Sequence, residues 1–255
     1  MYFGGVAGPR TGRREVMAAR CLPACDDSGM TDASCPKCLK EDSLCICEDI
    51  APVKTKLHVL ILQHPQEPDT ELGSARIARL ALENSTMRIG LSWPNLAKAL
   101  GRPAAHGSWG VLYLGGRREK SKLGPAASPR LGVVTKTGKV LEFNGAELEG
   151  IVVLDGTWAQ AKTMWWRNAW LLKLKRLTLN PPRLSLYGRL RKEPRRECLS
   201  TIESIAEALE ALGDDAAACD ALRGHFARLL RKYKARGASR AGAPCDGARA
   251  NTAPK

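Results

Sequence analysis

No stretch of the 255 residues comes near the roughly 18 consecutive apolar residues that a membrane span requires, so no membrane role is expected. The first residues, Met1-Tyr2-Phe3-Gly4-Gly5, lack the apolar core of a secretory leader, and the expectation is a cytoplasmic protein. In that compartment disulfides are rare, so the nine cysteines read as metal ligands, core residues or free thiols. No internal repeat is present. Acidic residues are also in short supply: 26 Asp and Glu stand against 40 Lys and Arg, a net charge of +14.

That charge is concentrated. Lys173 to Arg196 holds nine Lys or Arg against Glu193 alone, Arg117 to Lys139 seven against Glu119, and Arg231 to Lys255 seven against Asp246. Basic blocks of this kind on a soluble chain point to a polyanionic partner, nucleic acid first. At 44% hydrophobic residues the chain can bury a sizeable core, and its length suits one medium domain with appendages. Residues 1–30, small and basic with little apolar periodicity, are expected to be a disordered extension.

Cys35, Cys38, Cys45 and Cys47 are spaced C-x2-C-x6-C-x-C. Four thiols within 13 residues can converge on one tetrahedral centre, and four soft thiolates without a redox requirement suit zinc. A loop this short has almost no core of its own, so the metal would supply most of its folding energy.

Downstream, short β-branched runs alternate with helical patterns. Strands are expected at 56–63, 86–93, 109–114, 150–155 and 174–179, with a hairpin at 131–143 around Thr137-Gly138. Helices are expected at 74–82, 95–100, after Asp155, after Ser200 and over 216–233. Strand–helix alternation implies an α/β fold with a largely parallel sheet. The stretch Gly150-Ile151-Val152-Val153-Leu154-Asp155-Gly156-Thr157-Trp158 is a strand buried on both faces that runs straight into a helix. Open α/β sheets place ligands at such junctions, where Asp155 can hydrogen-bond a ligand or accept a proton. Thr157 with Gln160 reads equally well as a capping box.

Ser200 and Glu203 form a second capping box, opening a helix with Ile202, Ile205, Leu209 and Leu212 on one face. Capping leaves unexplained why Tyr187, Arg189, Arg191, Arg195 and Arg196 gather just upstream. Exposed helix-start N–H groups beside arginines make a site for a carboxylate or phosphate.

The cysteine knuckle, His64-Pro65-Gln66-Glu67 after the first strand, Asp155-Gly156-Thr157-Trp158, and Tyr187…Arg191…Leu199-Ser200-Thr201 occur in this order. Together they resemble the DTW-domain family, the tRNA-uridine aminocarboxypropyltransferases, over roughly residues 31–235. The resemblance implies a relative of the SPOUT methyltransferases: an α/β sheet flanked by helices, with a C-terminal trefoil-knot cofactor site. It implies transfer of the 3-amino-3-carboxypropyl group of S-adenosylmethionine to N3 of a uridine in tRNA, releasing methylthioadenosine. Asp155, Thr157, Trp158, Ser200 and Thr201 match the family's motifs directly. Tyr187 and Arg191 stand four apart where members often show three, so Arg189 competes with Arg191 for that place. Leu114 stands where many members have Pro.

The implied chemistry assigns roles. Uridine N3 must lose its proton to become nucleophilic, and Asp155 is the candidate general base, or else orients the cofactor. Trp158 can stack on uracil or adenine. Ser200, Thr201 and Arg191 suit the carboxylate of the migrating group, with Thr157 and Tyr187 as further cofactor contacts. The expected organisation is 1–30 extension, 31–50 zinc knuckle, 51–235 catalytic domain and 236–255 disordered basic tail. The partner is tRNA, and no obligate protein partner is implied. Two alternatives stay open: an S-adenosylmethionine-dependent RNA methyltransferase, and a non-catalytic zinc-containing RNA-binding module.

Overall fold

Among the described residues, the alternation of β-branched runs with amphipathic segments produces one seven-stranded sheet with helices on both faces. The computed structural model describes residues 34–67, 71–112, 129–188, 190 and 199–241. The expected extension at 1–30, Leu114, Arg189, Arg191 and the last residues of the tail lie outside the described residues.

The strands are β1 (His58–Gln63), β2 (Ser85–Ile89), β3 (Trp109–Leu112), β4 (Leu131–Val134), β5 (Val140–Glu142), β6 (Gly150–Asp155) and β7 (Lys175–Leu179). They lie side by side in the order β2-β1-β6-β3-β7-β4-β5. The first five in that order are parallel to their neighbours. The hairpin β4–β5 adds the antiparallel edge, turning at Gly138, whose φ of +81° suits glycine. The helices are α1 (Ala75–Ala81), α2 (Leu96–Leu100), α3 (Trp158–Arg167), α4 (Thr201–Ala211) and α5 (Ala216–Ala241). β2 stops at Ile89, short of the expected Trp93, and α5 continues to Ala241, past the expected boundary at 235.

A strand's side chains alternate between faces, so β1 and β6 supply both cores. Val59, Ile61, Ile151 and Val153 face α1, α4 and α5, meeting Ile77, Ile202, Ile205, Leu222 and Phe226. Leu60, Leu62 and Val152 face the other way, onto Leu96 and Leu100 of α2 and onto Trp109 and Trp170. Continuous apolar runs in β1 and β6 are what burial on two faces demands.

Three polar clusters fix the helices. Asn168 is fully buried just after α3; its Oδ1 accepts from Trp93 N at 2.8 Å and its Nδ2 donates to Leu91 O and Met164 O. Asp214, after α4, accepts from the amides of Lys56 and Leu57 at 3.0 Å each and so positions the start of β1. Arg130, leading into β4, donates to Glu207 of α4 at 2.7 Å and to Glu210, and Arg223 of α5 engages both carboxylates as well. Glu210 is held down at about 2 against an ordinary 4.5, foremost by the Arg130 hydrogen bond and further by Arg223, with burial opposing.

Candidate active site

β6 ends at Asp155, a residue only 8% exposed. Parallel pairing sets Gln63, the last residue of β1, directly beside Asp155 in register. Gln63 Nε2 donates to Asp155 Oδ2 at 2.9 Å. On the other side α4 begins, and Thr201 Oγ1 donates to Asp155 Oδ1 at 2.5 Å. Each carboxylate oxygen offers two lone-pair positions, so both retain one acceptor position beyond these bonds. The carboxylate is thereby fixed in orientation while staying able to accept a further proton or hydrogen bond.

The turn out of β6 depends on Gly156. Its φ of +153° is one that side-chain-bearing residues rarely adopt, and a Cβ there would lie 3.0–3.4 Å from Gln160 and His64. The two loops leaving β1 and β6 therefore close on one another. His64 is buried there, and its Nδ1 accepts from Gln66 N at 3.1 Å, which assigns the proton of the neutral ring to Nε2. His64, from the motif that follows the first strand, thus belongs to this junction.

Both capping boxes form. In α3, Gln160 N donates to Thr157 Oγ1 at 3.4 Å and Thr157 N to Gln160 Oε1 at 2.6 Å, in an exposed position. In α4 the box is buried. Glu203 Oε2 accepts from Ser200 N at 2.8 Å and Ser200 Oγ at 2.7 Å, and Glu203 N donates back to Ser200 Oγ at 3.3 Å. Glu203 also accepts from Ser185 Oγ at 2.8 Å and Leu186 N at 2.6 Å, so one carboxylate ties α4 to the segment after β7.

The matched residues therefore separate. Thr201 and Asp155 are in direct contact, and Thr157 and Trp158 leave β6 immediately after them. Trp158 is 43% exposed at the first turn of α3, so it is not a core residue. The Ser200 hydroxyl is taken up in holding the start of α4. Tyr187 is buried, its ring edge-on to Phe226 at 5.0 Å and its hydroxyl donating to Leu72 O at 3.0 Å. Arg191 lies outside the described residues. Gln63 is the participant that pattern reading missed; its only signal was a polar residue closing an apolar strand.

The cysteine knuckle is a second constellation. The four Sγ atoms of Cys35, Cys38, Cys45 and Cys47 lie within 4.8 Å of one another. The pairs Cys35–Cys47 and Cys38–Cys45 are 3.7 and 3.8 Å apart, too long for a disulfide bond of about 2.05 Å. A tetrahedron with zinc–sulfur bonds of about 2.3 Å has edges of about 3.8 Å, so the donor set fits one such ion. Cys35 is lowered to about 6, chiefly by the amide of Cys38, whereas burial pushes Cys45 and Cys47 up. Leu44 and Ile46, flanking Cys45, insert into the core against α5. Lys232 of α5 donates to Cys45 O, and Arg236 pairs with Glu41. The knuckle shares the domain's core rather than standing apart from it.

Comparison with known proteins bears on these motifs. Three curated relatives share the printed name tRNA-uridine aminocarboxypropyltransferase 2. The protein of Macaca fascicularis is 25% identical over 194 residues, covering 70% of this chain and 56% of that protein. That of Mus musculus is 26% identical over 183 residues, with the same coverage, and that of Drosophila melanogaster 28% over 182, covering 66% of the fly protein. The chain thus spans a little over half the length of the mammalian relatives. No solved structure matches it. The family model described as the DTW domain matches residues 32–234. That match takes in the knuckle, the β6 junction and the start of α4, and with it this chain belongs to the DTW domain family.

Proposed function

We propose that this protein transfers the 3-amino-3-carboxypropyl group of S-adenosylmethionine to N3 of a uridine in tRNA. The observation that carries the reading is the meeting of two sequence-distant motif pieces: Thr201 of L-S-T bonds the carboxylate of Asp155 from D-x-T-W at 2.5 Å. The printed names of the relatives supply the reaction class, and the basic blocks supply the complement to an RNA backbone.

In this reading Asp155 takes the N3 proton. The freed N3 pair attacks the carbon of the aminocarboxypropyl chain that is bonded to sulfur, that carbon–sulfur bond breaks, and its electrons return to sulfur. Cationic sulfonium becomes the neutral thioether methylthioadenosine. Three carbons of the sulfonium are open to attack, so regiochemistry comes from holding the correct one in line with N3. Gln63 and Thr201 contribute by fixing the base, and Trp158 offers an aromatic face for uracil or adenine. Arg191 is assigned to the carboxylate of the migrating group. The SPOUT-like trefoil belongs to the same reading. It is supported by β6 lying between β1 and β3, and by the chain after β7 returning to the carboxyl end of β6.

The knuckle would hold zinc through Cys35, Cys38, Cys45 and Cys47, where the ion supplies cross-linking energy and no step of the reaction. A cytoplasmic location completes the reading; among the described residues no helix is long and apolar enough to cross a membrane. The test is the by-product. Incubation with unmodified tRNA and S-adenosylmethionine should release methylthioadenosine, whereas S-adenosylhomocysteine in its place would make the protein a methyltransferase.

A further inference from the structure

α3 carries an aromatic–cation–aromatic line on a side that the core does not use. Its inward residues are Ala161 and Met164, both buried. Trp158, Lys162 and Trp166 follow one another at intervals of four, so the 3.6-residue turn keeps all three within about 80° of arc. All three are exposed, Trp166 at 71%. Its neighbour Trp165 instead packs against the second core. Eight residues of rise put the two exposed indoles about 12 Å apart, with the ammonium between them. α3 is pinned at both ends, by the Thr157–Gln160 box and by buried Asn168, so this spacing is rigid.

The segment that carries the line is one-sided in charge: α3 itself holds Lys162 and Arg167 and no acid. From Gly156 to Lys192 there is no Asp or Glu, against nine Lys or Arg. A hydrophobic protein partner would not need an acid-free helix, and a second copy of a chain carrying +14 would meet like charge there. Aromatic faces alternating with cations on a basic field match a single-stranded nucleic acid, whose bases stack while its phosphates pair.

We propose that the outer side of α3 is the track for a single-stranded loop of the RNA substrate, one base stacking on Trp166, a phosphate meeting Lys162, and the strand leading past Trp158 to Asp155. This rests on the reading that Asp155 acts on a uridine in RNA. Because α3 leaves Asp155 directly, the track fixes which nucleotides beside the target are held, and it acts as a specificity element.

The experiment compares Trp166→Ala, Trp166→Phe and Lys162→Gln with wild type in tRNA binding across a salt series, with methylthioadenosine release followed in parallel. Trp166→Ala should weaken binding by about 5- to 100-fold without changing the salt slope, and Trp166→Phe should retain most of the affinity. Lys162→Gln should weaken binding and reduce the slope of log K against log salt by about one. Unchanged affinity of Trp166→Ala overturns the proposal, as does Trp166→Phe binding no better than the alanine variant. A wild-type dimer that Trp166→Ala dissociates with tRNA affinity intact also overturns it, making the face a protein interface. Melting curves of the variants should match wild type, since the side chain is largely exposed. If wild type binds tRNA through Trp166 but releases no methylthioadenosine, the catalytic reading fails and the track stands. If the product forms and Trp166→Ala changes nothing, only the track falls.

Discussion

The cysteine knuckle and the Asp155 junction are built in opposite ways. The knuckle is local: 13 residues bring four sulfurs together in a set that fits one ion, and two side chains, Leu44 and Ile46, anchor it in the core. The junction is assembled from distance. Asp155 is 92 positions from Gln63 and 46 from Thr201, and only the order of the sheet makes them neighbours. Disturbing the first should cost stability, and disturbing the second should cost rate.

The sharpest way to break that division is Asp155→Asn. The amide is the same size and still accepts from Thr201, while Gln63 can turn its own amide to match. Transfer should fall by about 10²–10⁴-fold, the usual range for losing a general base, with melting temperature and tRNA affinity nearly unchanged. Single-turnover rates with a parallel melt decide it; a large fall in stability would merge the two regions into one.

On the knuckle side, chelation or Cys38→Ser should release Leu44 and Ile46 and lower stability. Leu44→Ala alone should lose about 2–5 kcal/mol by opening a cavity in the main core. Denaturant titration reads the loss. A variant that stays fully stable but ceases to transfer would move the knuckle into the chemistry.

The two capping boxes sharpen the comparison within the junction. Ser200→Ala removes a bond to a buried carboxylate and should destabilise by about 1–3 kcal/mol. Thr157→Ala removes an exposed cap, and the expected loss is about 1 kcal/mol. Reversal of that order in thermal melts would mean that the exposed box carries the tertiary contact.

The smallest effect is in acid. Arg130 and Arg223 hold Glu210 at about 2. A carboxyl depressed on folding stabilises the native state above its ordinary pKa near 4.5, and that contribution fades as pH falls towards 2. Glu210→Gln should lower stability at neutral pH, where the contribution is fully present, and flatten its pH dependence across that window. Equal slopes for wild type and variant would show that the pair is not linked to folding.

How much of this was legible follows from the same division. The knuckle, the parallel sheet, the hairpin turn at Gly138 and both capping boxes are written in spacings of a few residues, and a linear reading finds them. Asp155 was legible as a strand–helix junction. Gln63 was not, because a polar strand end has no pattern of its own until parallel pairing sets it beside Asp155. Tyr187 shows the converse. Its place in the motif was legible, but that its ring packs on Phe226 and its hydroxyl donates to Leu72 came only with the tertiary fold. Glu203 was legible as a cap, but its hold on Ser185 and Leu186 came only with the tertiary fold.

The account turns on which carbon of the sulfonium moves. The direct measurement incubates purified protein and unmodified tRNA with S-adenosylmethionine labelled, in parallel samples, at the methyl group or at the carboxyl carbon. Carboxyl label entering the tRNA without methyl label is the predicted result. Methyl label entering without carboxyl label would contradict the account and reassign the Asp155 junction to methyl transfer.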